Sequence, residues 1–345
     1  GTFDYTYNSV DQVASVKKGT TEVESYSYDY YGNVKQKAVK NGVDHTYNYK
    51  YKDEKTGDLQ EIEIGEDNTI KYEKDVNGRM KEKTICAGID GTESEAVTLV
   101  SENYYYRKVG DHATNQISTI RYGEKRNGSL VIRDSVRYAY DSMGNITKVY
   151  ENGEQTVSYE YDGIGRLKRE NNRILGKTKV YAYDGNGNIL TRREYAYTMK
   201  GEEELPEDYD EYTYGYEKGT DKLLEIESRT KNAAGEYEDK TERFVYDAIG
   251  NPTSYKGKTL TWTKGRRLTS YDGIEFGYNG QGQRISRKQG STSNFTYDMS
   301  GNLIKESRGT EYFYDSTGVC GMKYGEEMYF YRKDVFGNIT EILDS

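Results

Sequence analysis

A five-residue pattern, Tyr-Asp-x-x-Gly, constrains this chain more than any other feature. It stands at Tyr28-Asp29 with Gly32, Tyr140-Asp141 with Gly144, Tyr161-Asp162 with Gly165, Tyr183-Asp184 with Gly187, Tyr246-Asp247 with Gly250, Tyr297-Asp298 with Gly301, and Tyr314-Asp315 with Gly318. Residue frequencies predict roughly 0.3 such matches by chance, so seven mark a tandem repeat. Degenerate copies fill the gaps: Tyr7-Asn8, Asp75 with Gly78, Tyr278-Asn279 with Gly282, Asp334 with Gly337, and weaker ones near Glu54, near Glu217 and at Trp262 with Gly265. The step between neighbouring copies is about 21 residues, shrinking toward the C-terminus, and weakly matching stretches bring the count to about fifteen.

The repeated residues are those a bulged hairpin needs. Asp at the start of a type I turn accepts from a backbone N–H two residues on, and Gly at the fourth position takes the left-handed conformation that returns the chain. Upstream, alternations such as Tyr26-Ser27-Tyr28 and Tyr159-Glu160-Tyr161 put two rings on one strand face. Downstream comes Asn or Arg and then an aliphatic residue, as in Asn33-Val34 and Arg166-Leu167. A second glycine turn follows, at Asn41-Gly42, Asn152-Gly153 or Gly176, for example. Each repeat therefore reads strand, turn, strand, turn, and about fifteen repeats give about thirty strands. The expected fold is all-β: tandem hairpins in one long, coiled antiparallel meander, a spiral shell or barrel-like superhelix spanning 1–345 without separate domains.

Composition agrees. Only 34% of the 345 residues are hydrophobic, too few for a thick aliphatic core, yet 38 Tyr and 2 Pro are foreign to disorder. Tyr is the packing residue, with its ring buried and its hydroxyl expected in water. Acidic and polar stretches near 87–97, 107–115, 199–211 and 230–240 read as protruding insertion loops. The net charge of −9, in mixed sign, supplies no footprint for nucleic acid, and no apolar run is long enough to span or anchor in a membrane. The chain opens in mid-pattern at Gly1-Thr2-Phe3 and reads as a fragment of a longer protein.

Catalytic and metal chemistry finds little footing, and neither a cofactor nor a metal is expected. His45 and His112 sit in no cluster and read as solvated surface residues. Asp184-Gly185-Asn186-Gly187-Asn188 resembles the start of a calcium loop but lacks its closing Glu, so a turn is the better reading. Glu202, Glu203 and Glu204 lie in a predicted exposed loop with nothing to perturb them. Cys86 and Cys320 match no zinc spacing, and their redox state stays open. The chain reads as non-catalytic.

The motif typified by Tyr161-Asp162-Gly163-Ile164-Gly165-Arg166-Leu167 resembles the YD repeat of Rhs proteins, wall-associated proteins of Gram-positive bacteria, the BC component of Tc toxins and animal teneurins. Trp262-Thr263-Lys264-Gly265-Arg266-Arg267-Leu268 is similar to a Trp variant in Rhs cores, and the segment from Tyr329 to Ile339 to the element preceding the core's end. The resemblance implies a β-spiral that encloses a cavity. In bacterial members the cavity sequesters a C-terminal toxin, and in teneurins the outer surface serves adhesion. The family's autoprotease residues would lie beyond Ser345. Two functions follow as expectations: a scaffold enclosing a C-terminal toxin or effector domain, with the rest of the parent shell as partner, or an adhesion module binding a glycan or receptor. Either implies a secreted or cell-surface location, with a bacterial source expected.

Overall fold

The structure, a computed structural model, describes residues 2–65, 67–87, 97–126 and 129–344. Among these residues the chain forms 31 strands, and a 3-10 turn at Glu202–Glu204. Strands pair antiparallel with their neighbours in sequence, as in Phe3–Tyr7 with Val13–Lys18 and Glu327–Lys333 with Ile339–Asp344. They make a 19-stranded sheet, from Phe3–Tyr7 to Tyr237–Arg243, and a 12-stranded sheet, from Val245–Tyr246 to Ile339–Asp344. These are open meanders of the expected all-β class, and neither is a closed barrel.

The pleat is interrupted at the same place in each repeat. The register slips immediately before Tyr28, Tyr140, Tyr161, Tyr183, Tyr246, Trp262, Tyr297 and Tyr314. Such a bulge bends the strand and increases its twist, so one slip per repeat builds curvature into the meander.

By internal contacts the chain forms two compact units, residues 1–135 with 278–345, and residues 136–277. In the first unit, faces of the two sheets pack on each other. Ile62, Ile70, Ile85 and Val100 are successive cross-strand partners, all within 5% of full burial, and Ile304, Cys320 and Phe330 of the other sheet are equally enclosed. The second unit buries fewer large apolar side chains, among them Tyr138, Val157, Tyr195, Phe244 and Leu260. There buried Arg169, Asn171 and Thr178 form a polar network with Ser158.

Two of the expected insertion loops are regular hairpins. Around 107–115 the strands Val97–Val109 and His112–Arg126 run to a tight turn at Gly110-Asp111, because the polar residues there still alternate across a ladder. Around 230–240 the strands Leu223–Lys231 and Tyr237–Arg243 meet at Asn232, whose side-chain oxygen accepts from Ala234 N and Glu236 N as a motif Asp would. The segment near 199–211 is irregular apart from its 3-10 turn. Most of the stretch near 87–97 lies outside the described residues.

Candidate functional site

The recurring element is the motif turn. At Asp29, Oδ1 accepts from Tyr31 N and Asn33 N, each at 2.9 Å, while Oδ2 accepts from the Asn33 side chain at 2.7 Å. The same closed ring forms at Asp141 with Asn145, Asp162 with Arg166, Asp184 with Asn188 and Asp247 with Asn251. At Asp298 the ring closes through Asn302. The seven motif glycines have φ between 86° and 100°, a region that favours glycine. At Asp184 both oxygens are turned onto its own loop, which leaves them poorly placed for a cation. The bond from the side chain four residues on, with backbone N–H groups adding to it, holds Asp75, Asp141, Asp162 and Asp184 below the usual carboxylate range.

Two kinds of tether join turns to the neighbouring repeat. The first corrects the expectation of water-exposed tyrosine hydroxyls. Tyr161 donates to Ile146 O at 2.7 Å, Tyr183 to Leu167 O at 2.7 Å, Tyr246 to Leu223 O at 2.7 Å and Tyr297 to Arg284 O at 2.7 Å. Tyr28, Tyr51, Tyr106, Tyr216 and Tyr314 do likewise, each to the residue that follows the preceding turn. Trp262 fills the same position, with Nε1 donating to Pro252 O at 2.7 Å. A half-buried hydroxyl left without a partner would cost free energy, and the preceding main chain lies closer than bulk water. The second tether runs from the Asn or Arg: Asn33 Nδ2 to Glu54 O at 2.6 Å, Arg166 Nη1 to Asp184 O at 2.9 Å, and Asn251 Nδ2 to Gly265 O at 2.6 Å. Arg166 also stacks on the Tyr183 ring, 4.7 Å from its centroid. Sequence reasoning missed both tethers, although the fixed spacing of four from Asp to Asn or Arg signals the second.

Tyr314-Asp315 departs from this scheme. Residue 319 is Val, so no side chain closes the ring, and Asp315 Oδ1 accepts only from Thr317 N and Oγ1. The Asp315 side chain is buried and meets Lys83 Nζ of the other sheet at 2.7 Å. It belongs to a set of polar contacts across the two faces of the first unit. Lys37 meets Asp298 at 2.9 Å, Met299 N donates to Glu24 Oε1 at 2.6 Å, and Lys305 Nζ donates to Gly42 O at 2.8 Å. Arg332 reaches Asp134 at 3.2 Å.

His45 was expected at the surface and is only 3% exposed, with its ring 4.2 Å from that of Phe313 and Nε2 2.9 Å from Glu311 Oε2. Alternation along its strand turns it inward, and the opposite sheet covers it. Burial pushes the imidazole below its usual pKa. His112 is exposed. Cys86 and Cys320 are buried and not joined in a disulfide, and burial pushes the Cys320 thiol up. Among the described residues no group of three or more His, Cys, Asp and Glu side chains is placed to hold a metal ion.

Comparison with known proteins accords with this geometry. Residues 106–182 match the family model described as Teneurin YD-shell. A protein of Bacillus spizizenii named tRNA3(Ser)-specific nuclease WapA is 26% identical over 99% of this chain. The chain is thus similar to YD-repeat proteins, most specifically over residues 106–182. This YD-repeat chain spans 12% of the Bacillus spizizenii protein. Teneurin-3 of Mus musculus is 30% identical over 44% of the YD-repeat chain, which covers 5% of that protein. A crystal structure of TcdB2-TccC3 aligns with 97% of this chain and 20% of its own at 12% identity, with a TM-score of 0.48.

Proposed function

We propose that this chain is a length of shell wall in a larger, secreted or cell-surface bacterial protein, and that the shell encloses a toxin or effector domain at the parent's C-terminus. The observation that carries this reading is the double tether. Repeats are bonded to their neighbours by Tyr hydroxyls and, at several turns, by the Asn or Arg as well, as in Tyr183 to Leu167 O and Arg166 to Asp184 O. A meander bonded this way resists shear between its hairpins, which a wall around a cargo requires. The relative matched along nearly the whole chain is named as a nuclease, and this chain accounts for 12% of it, which leaves ample length for a cargo elsewhere in such a protein.

Limited proteolysis of the full parent protein under native conditions tests the reading. The C-terminal domain should survive protease that destroys the same domain expressed alone; equal loss would overturn enclosure. One observation favours adhesion instead. Val10, Met143, Ile164, Ile249 and Phe336, each two residues after a motif Asp or Asn, are 55–73% exposed at the turn tips. Their replacement by Ser should leave protease protection intact, whereas loss of binding to a glycan array or to cells would support recognition through these tips.

A further inference from the structure

Lys83, Glu102 and their neighbours form a row that the shell reading does not use. Tyr72, Lys83, Glu102 and Tyr122 are successive cross-strand partners on the inner face of the first unit. Lys83 is 4% exposed and Glu102 3%, and Tyr104 OH donates to Glu102 Oε2 at 2.6 Å. Opposite them the other sheet presents Asp315, Cys320, Tyr331 and Lys333, and a cavity of about 250 Å³ opens beside Lys83, Glu102, Tyr331 and Lys333. Lys83 Nζ and Asp315 Oδ2 are 2.7 Å apart, with side chains 5% and 0% exposed. The contact lies off the hydrogen-bond directions of Oδ2, which accepts no well-formed hydrogen bond.

We propose that Lys83 and Asp315 condense to an amide, a covalent isopeptide cross-link between the two packed faces of the first unit. An amine and a carboxyl held at contact distance in a rigid core have the proximity that makes an intramolecular condensation effective. The buried ion pair bears a desolvation cost that its attraction repays only in part, and a neutral amide removes both charges. The step balances without a further reagent. One ammonium proton passes to the Asp315 carboxylate, and Nζ attacks Cγ to form the C–N bond. A second proton leaves Nζ for the departing hydroxyl, the C–O bond breaks, and one water is released. The adjoining cavity, at about 250 Å³, has room for that water.

The test is intact-mass spectrometry of the purified, denatured chain, followed by peptide mapping. The expected mass is lower than that of the sequence by one water. The map should contain a branched species joining the peptide of Lys83 to that of Asp315, and Lys83→Arg should restore the full mass. Full mass in the unaltered chain, with linear peptides carrying Lys83 and Asp315, would overturn the proposal and leave an ion pair. A lost water without the branched peptide, as from a succinimide at Asp315, would overturn it equally. The measurement is made on the unaltered chain, so the outcome stands even where a variant does not fold.

Discussion

The two units share one repeat and hold it together differently. In residues 1–135 with 278–345, side-chain bonds cross between faces far apart in sequence: Lys37 to Asp298, His45 to Glu311, Lys83 to Asp315. The same unit buries a cross-strand row of isoleucines, Ile62, Ile70 and Ile85. In residues 136–277 the named bonds are local, such as Asn171 to Ser158, Lys168 to Glu202 and Arg193 to Glu211. The same hairpin thus supports a two-faced core where a second sheet covers it, and a polar network with tethered turns elsewhere. A repeat whose turns satisfy themselves leaves its strand faces free to vary.

The largest break in this contrast should come from Asp315→Ala. The variant leaves Lys83 buried without a partner at a cost of about 3–5 kcal/mol, so urea unfolding followed by probes in the first unit should shift strongly. Asn171→Ala, the counterpart in the second unit, should cost about 1–3 kcal/mol, because Arg169, Ser158 and Thr178 lose a shared partner. Equal shifts would erase the distinction between the units. Gly165→Val, at φ 86°, should destabilise by about 1–3 kcal/mol, and an unchanged melting temperature would refute the strain assigned to the motif turn. Tyr161→Phe removes one tether and should cost about 1 kcal/mol, with faster amide exchange in the strands flanking Ile146 as the reading.

The smallest effect is one of pH and belongs to the first unit. The folded pKa of His45 lies below the unfolded value of 6.5, so the unfolded chain binds more protons. The stabilisation from neutral His45 is complete above 6.5 and is lost as pH falls below it. Denaturant midpoints measured between neutral and mildly acidic pH should therefore decline, and His45→Phe should flatten that decline. A decline of equal slope in the variant would move the cause elsewhere, to the motif carboxylates for instance.

Most of the hairpin architecture was legible in the chain, because its determinants lie within five residues of one another. Asp29, Gly32 and Asn33 close their ring without help from distant parts of the fold. Asn232 misled because Lys231 precedes it, in place of the Tyr that marks Asn8 and Asn279 as copies, although its amide oxygen does the work of a carboxylate. The tethers were half legible: the spacing is in the sequence, but that the Tyr161 hydroxyl would meet the main chain of the preceding repeat depends on the bulge and twist between them.

By itself, then, the sequence determined an all-β tandem of hairpins, since turn chemistry and alternation act over a few residues. Only the tertiary structure decided which faces would meet. The burial of His45, the departure of Asp315 from its motif and its meeting with Lys83 all depend on a second sheet closing over the first. Alternation along a strand marks the inward side chains, and it carries no information about which distant strand will cover them.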